Sequence, residues 1–147
     1  MLLALPIALP FAVGVLCYAL RGRPLLLRLT SFAGALGLLA TAGTILAQVL
    51  REGPQAVQMG GWPAPYGITL AADALGAGLL AATAITGVAA VLFGFAEVDR
   101  RSEEVGHHTF LHVLLGGVSG AFVTGDIFNL YVWFEVLLIA SFGLLVL

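Results

Sequence analysis

From Leu2 to Leu20 the chain carries no charged side chain, and four further stretches are almost as bare: Leu29 to Leu50, Ile68 to Phe95, His108 to Thr124 and Ile127 to Leu147. About 20 apolar residues in a helix cross the hydrocarbon core of a bilayer. Lipid offers the backbone no hydrogen bonds, so runs of this kind must satisfy their own, as helices do. The pattern predicts an all-α fold, a polytopic bundle of about five transmembrane helices. Composition agrees: apolar residues make up 61% and charged residues 10%, with mean hydropathy +1.08. A soluble domain carries about 25% charge. A chain this poor in charge has no polar shell to present to water.

The six basic residues are all arginines, and the net charge is −2, which points away from nucleic acid. The lone Cys17 excludes an intrachain disulfide and reads as a small apolar packing residue. No basic region precedes the first apolar run. Arg21 and Arg23 follow it, so that run reads as a retained helix and not a signal peptide. The last run stops at Leu147 without loop, charge or cap, which reads as a truncation point.

The arginines also suggest an orientation. They lie between the spans: Arg21, Arg23 and Arg28 in the first connection, Arg51 in the second, Arg100 and Arg101 in the third. The positive-inside rule puts the first and third connections in the cytoplasm and the N-terminus outside, in the inner (plasma) membrane. The second connection, Arg51 to Gly67, is then external. Pro63 and Pro65 exclude a helix there. Trp62 and Tyr66 suit an interfacial anchor loop. The alternative is a short strand or hairpin that docks on a neighbouring unit. Gly116 and Gly120 in the fourth span have the spacing of close helix packing.

No phosphate loop, dinucleotide fingerprint, nucleophile elbow or clustered metal ligands occur, so the reading is a transporter subunit and not an enzyme, with no cofactor and no metal. The groups that could carry chemistry are ionisable residues in or beside the spans. Glu135 is the main one, eight residues into the fifth span and roughly 12 Å from its start. A carboxylate near mid-bilayer is costly and usually faces a bundle interior on an ion or proton path. Phe128, Val132, Leu138, Ile139 and Phe142 share its helical face, with Tyr131 the one polar neighbour. No basic residue falls inside a span, so its counter-charge is expected from elsewhere. Asp73, one to two turns into the third span, reads equally as a helix-end acid or a functional carboxylate. Asp126 reads as a helix cap. His107 and His108 read as interfacial. His112, a turn deeper, either hydrogen-bonds a helix carbonyl or shuttles protons.

Two segments carry a resemblance. Gly125-Asp-Ile-Phe-Asn-Leu-Tyr-Val-Trp-Phe-Glu135 and the residues following it to Phe142 closely resemble the fifth helix of the D-type subunit of Mrp-type multisubunit cation/proton antiporters. Gly61-Trp-Pro-Ala-Pro-Tyr-Gly-Ile-Thr-Leu-Ala-Ala-Asp73 resembles the loop and third-helix start of that subunit. The family also includes antiporter-like subunits of NADH:quinone oxidoreductase and membrane-bound hydrogenases. The resemblance implies the first third of a subunit of about fourteen helices, with Glu135 in the ion or proton path and its lysine partner on a later helix. It implies other membrane subunits, the lipid bilayer, monovalent cations and protons as partners. The function it implies is exchange of sodium or another monovalent cation for protons. The rivals are a proton-translocating subunit of a redox complex and a non-transporting scaffold.

Overall fold

Helix starts and stops follow local chemistry. The computed structural model describes residues 2–147. Helix α1 spans Leu5–Ala19 and is extended at its start by a 3-10 turn, Leu2–Ala4. Pro24 opens α2, Pro24–Glu52, where its missing N–H costs nothing. Gly53, at φ 87°, ends α2 in a backbone conformation that side chains avoid. Helices α3 (Ala74–Glu97), α4 (Arg100–Val105) and α6 (Ile127–Val146) each begin on an aspartate, and α5 spans His107–Phe122. Asp73, Asp99 and Asp126 accept hydrogen bonds from the backbone N–H groups of Gly76, Ser102 and Phe128, at 2.7, 2.7 and 2.9 Å. These bonds satisfy N–H groups that a helix start leaves free.

The expected all-α bundle is present, with a change at one end. The connection after α2 forms an antiparallel hairpin, β1 (Gln55–Gln58) and β2 (Thr69–Ala72), paired from Gln55–Ala72 to Gln58–Thr69. Of the two readings of this connection, the structure gives the hairpin, and it docks on the chain's own α5–α6 turn. Ala71 N–H donates to the Val123 carbonyl at 2.8 Å, and Gly125 N–H donates to that of Thr69 at 2.8 Å. The third span is therefore shorter than Ile68 to Phe95: Thr69 to Ala72 are strand, and the helix starts at Ala74.

Among the described residues, four helices are long and apolar enough to cross a membrane: Leu2–Ala19, Pro24–Glu52, Ala74–Glu97 and Ile127–Val146. Helix α5 has 16 residues, about 24 Å against a hydrocarbon core of about 30 Å. It sits centrally, packed against α1, α2, α3 and α6. Its glycines permit close approach. A Cβ on Gly116 would lie 2.9 Å from the Phe11 ring, and one on Gly120 would run into the Trp133 ring. Helix α6 lies outermost, with only Asn129 and Ala140 buried along it. Cys17 is fully buried beside Val13 and Leu27, in the packing role its sequence context suggests.

Candidate ion and proton sites

Successive long helices run in opposite directions, so the ends of the bundle separate the charges. Arg21, Arg23, Arg28, Arg100 and Arg101 gather at the end holding the α2 start and α4, and Arg51 lies at the hairpin end. The expectation that every arginine lies between spans fails at Arg28 and Arg51, which both fall inside α2, the second in its last turn. Pro24 starts α2 earlier than the apolar run suggests, which places Arg28 inside the helix. Its Nε donates to Glu103 Oε1 at 2.8 Å.

Glu103 has no distinguishing signal in the sequence, where it belongs to a charged connection. The structure buries it to 2% exposure. Helix α4 is short, and Gly106, at φ 140°, folds it back onto the start of α5. The same Oε1 contacts His108 Nε2 at 3.2 Å. His108, at the end of the bundle, is fully buried, with Phe95 and His107 rings at 5.8 and 5.3 Å between centroids. Its Nδ1 lies 3.0 Å from Ser31 Oγ. Ser31 Oγ is also 3.0 Å from His112 Nε2, which lies 3.1 Å from the Ser31 carbonyl oxygen. Thus His112 does hydrogen-bond a helix carbonyl, and it also belongs to a continuous chain from Arg28 through Glu103, His108 and Ser31. Burial pushes the Glu103 carboxyl up, but the hydrogen bonds from Arg28 and His108 and their charges bring it below the ordinary glutamate range. Asp99, held down chiefly by the Ser102 backbone N–H, also lies below its ordinary value.

Glu135 lies elsewhere. On α6 it falls between the Gly117–Leu137 and Gly120–Trp133 contacts, midway along the helix. Its face is exposed in this chain and does not point into the bundle of these helices. Phe128, Tyr131, Ile139 and Phe142 beside it are 61 to 75% exposed. The reason is geometric: α6 packs Trp133, Leu137, Ala140 and Gly143 on the side facing α5, against the glycines and Phe110 of that helix, and Glu135 lies on the other side. Glu135 forms no ion pair among the described residues. Asp73 is the cap of α3 and lies at its very start, not one to two turns inside a helix. Asp126 caps α6 as its position suggests. Among the described residues no group of three or more His, Cys, Asp or Glu side chains could hold a metal ion.

No family model matches the chain. Curated relatives do. One is the D-type subunit of the Na(+)/H(+) antiporter of Bacillus subtilis (strain 168). The chain is 41% identical to it over 143 residues, covering 97% of this chain and 29% of that protein. The corresponding Na(+)/H(+) antiporter protein of Alkalihalophilus pseudofirmus is 38% identical over 146 residues, covering 99% of this chain and 30% of that one. Among solved structures, the Mrp complex from Dietzia sp. DQ12-45-1b superposes with a TM-score of 0.89 at 26% identity, over 96% of this chain and 26% of the matched one. The archaeal membrane-bound sulfane sulfur reductase, a respiratory membrane complex, gives 0.89 at 29% identity, over 96% of this chain and 29% of the matched one. The chain spans just under a third of the length of these curated relatives. This multi-pass membrane chain is thus similar in sequence to D-type subunits of Na(+)/H(+) antiporters and similar in fold to a chain of the Mrp complex.

Proposed function

We propose that the chain is the N-terminal part of a subunit that exchanges sodium or another monovalent cation for protons, and that Glu135 carries the proton. The observation that carries this reading is the placement of Glu135. It is an acid midway along a membrane-crossing helix, on a face that the other described helices leave uncovered. A lone carboxylate facing lipid at that depth is expensive. The face is therefore one that further helices of the subunit cover, and they bring the cationic partner that the described helices lack. In that setting Glu135 takes up or releases a proton, or changes its pairing with that partner, as the cation moves the opposite way. Other membrane subunits complete the assembly, and the proton-motive force supplies the drive.

The test is sodium-dependent pH change in everted vesicles bearing the subunit in its native membrane, beside a blot for assembly. Glu135→Gln should reduce exchange to background with the subunit assembled, since an amide keeps the shape but cannot carry the charge. Glu135→Asp should keep part of the activity with a displaced pH profile. Full exchange by assembled Glu135→Gln would remove Glu135 from the path and favour a scaffold.

The arginine distribution supports an external N-terminus in the inner (plasma) membrane. With Gly22→Cys and Arg101→Cys, each in a Cys17→Ala background, a membrane-impermeant thiol reagent should label only opened cells. Labelling of both from intact cells would invert the orientation.

One observation favours a second reading. The sulfane sulfur reductase superposes as well as the Mrp complex does, which suits a proton-translocating antiporter-like subunit of a respiratory redox complex. Neighbouring genes separate the two: antiporter subunits for the first, redox subunits for the second.

A further inference from the structure

We propose that His108, Ser31 and His112 form a second proton-binding site, an imidazole pair that holds one proton between its rings and is loaded through Glu103 from the Arg28 end of the bundle. As a step in transport it rests on the proton-translocating reading above; as a binding site it stands on its own geometry. Three features carry it. The polar chain is continuous from the half-exposed Arg28 side chain, at 38%, to His112 at 1%. Every link lies between 2.8 and 3.2 Å. The third feature is the pair of partners at His112 Nε2. An unprotonated Nε2 accepts from the Ser31 hydroxyl, and a protonated one donates to the Ser31 carbonyl, so both protonation states of that nitrogen are satisfied in place.

The transfer balances without any other reactant. A proton reaching His108 makes an imidazolium whose Nε2–H faces the Glu103 carboxylate and whose Nδ1–H faces Ser31. His108 gives the Nδ1 proton to Ser31 Oγ as the serine hydroxyl gives its own proton to His112 Nε2. His108 is left neutral with its Nε2 proton towards Glu103, and His112 becomes the imidazolium. Both rings cannot be charged together, because two imidazolium ions flanking one hydroxyl in a buried site repel strongly. The charged and titratable groups around the pair are few. Arg28 comes from α2, Glu103 from α4 and His107 from α5. From α3 the Phe95 ring packs on His108, and Glu97 is exposed. From α1 the Gly14 backbone adjoins His112, and Cys17 packs with Val13 and Leu27. The acid of α6, Glu135, is on that helix's outer face. Ser119, two turns beyond His112 on the same side of α5, has a buried hydroxyl with no partner among the described residues and is the next polar group in line.

A network that only ties α2, α4 and α5 together would not take up a proton, and this distinguishes the two. Histidine rings are labelled with ¹⁵N in the subunit within its native membrane complex, with His107→Gln in place. The two signals are assigned by their loss in His108→Gln and His112→Gln. Between about pH 5 and 9 the pair should take up one proton in total, shared across both rings. A full proton on each ring, or none on either, overturns the proposal. Ser31→Ala should confine uptake to one ring and lower exchange at least about tenfold, with a displaced pH profile that Ser31→Thr restores. Full exchange at every pH by assembled Ser31→Ala overturns the transport role. If Ser31→Ala does not assemble, the parent titration decides alone. Glu135→Gln should leave the ring titration unchanged, so failure of the Glu135 reading is seen separately.

Discussion

Helices α5 and α6 lie against each other and solve opposite problems. Helix α5 is short, central and lined with polar groups, and its His108, His112 and Ser119 are all buried. Helix α6 is longer and more apolar, yet its one acid faces outward with bulky neighbours. The buried groups of α5 are tolerated because neighbours satisfy most of them: Glu103 and Ser31 supply the partners of both histidines. Glu135 forms no ion pair among the described residues and has the Tyr131 hydroxyl as its polar neighbour. A partnered group is held in place within these helices. One without an ionic partner here points to what lies beyond.

The largest effect on this contrast comes from removing the outward acid and reading stability beside transport. Glu135→Gln should abolish exchange while leaving the melting temperature of the solubilised complex unchanged, since no ion pair within these helices depends on it. A large loss of stability would mean that Glu135 holds these helices together.

The seam between the two helices comes next. Gly120→Val drives a side chain into the Trp133 ring and should destabilise by about 1–3 kcal/mol. Gly78→Ala, where nothing lies within 4 Å, should be neutral or stabilise by up to about 1 kcal/mol. Thermal melts of the two variants compare a packed glycine with a free one.

On the α5 side, Arg28→Met leaves a buried carboxylate with His108 as its remaining partner. Removing one member of a buried pair costs about 3–5 kcal/mol, but Arg28 is 38% exposed, so a loss of about 1–2 kcal/mol is expected. Linkage gives the pH dependence. The folded carboxyl of Glu103 lies below its unfolded value, so its contribution is present above the ordinary glutamate range. It is lost as pH falls through the folded value. Melting temperatures taken downwards from about pH 5 should fall, and Glu103→Gln should flatten part of that slope. An unchanged slope would remove Glu103 from the account.

The smallest effect belongs to Asp73. As a cap, Asp73→Ala should cost about 1 kcal/mol and leave exchange per assembled subunit intact. Loss of exchange without loss of stability would restore it as a functional carboxylate.

Local patterns made much of this legible. The apolar runs mark the helices, and Asp126 stands where a cap is needed. Glu135 is conspicuous because an acid in such a run has no local explanation. Three things were hidden. The strand at Thr69 to Ala72 is as apolar as the helix after it, so hydropathy does not divide them. Arg28 looks like a loop residue, although Pro24 four residues earlier is a helix-opening signal that places it inside α2. Glu103 and His108 belong to a stretch with the composition of a charged, interfacial segment. Only the reversal at Gly106 brings them together, beneath Arg28 and Ser31 from a distant stretch of chain.

Hydropathy and charge along the chain were enough to establish a membrane bundle, the division of its arginines between two ends, and one acid at mid-depth in α6. These follow from the cost of placing charge or open backbone in hydrocarbon, a cost each residue meets wherever its neighbours lie. Which polar groups find partners and which face outward was settled by packing alone. Hydrogen bonds between Ser31 and the two histidines span 77 and 81 residues of chain, and only the packing of α5 against α2 closes that distance.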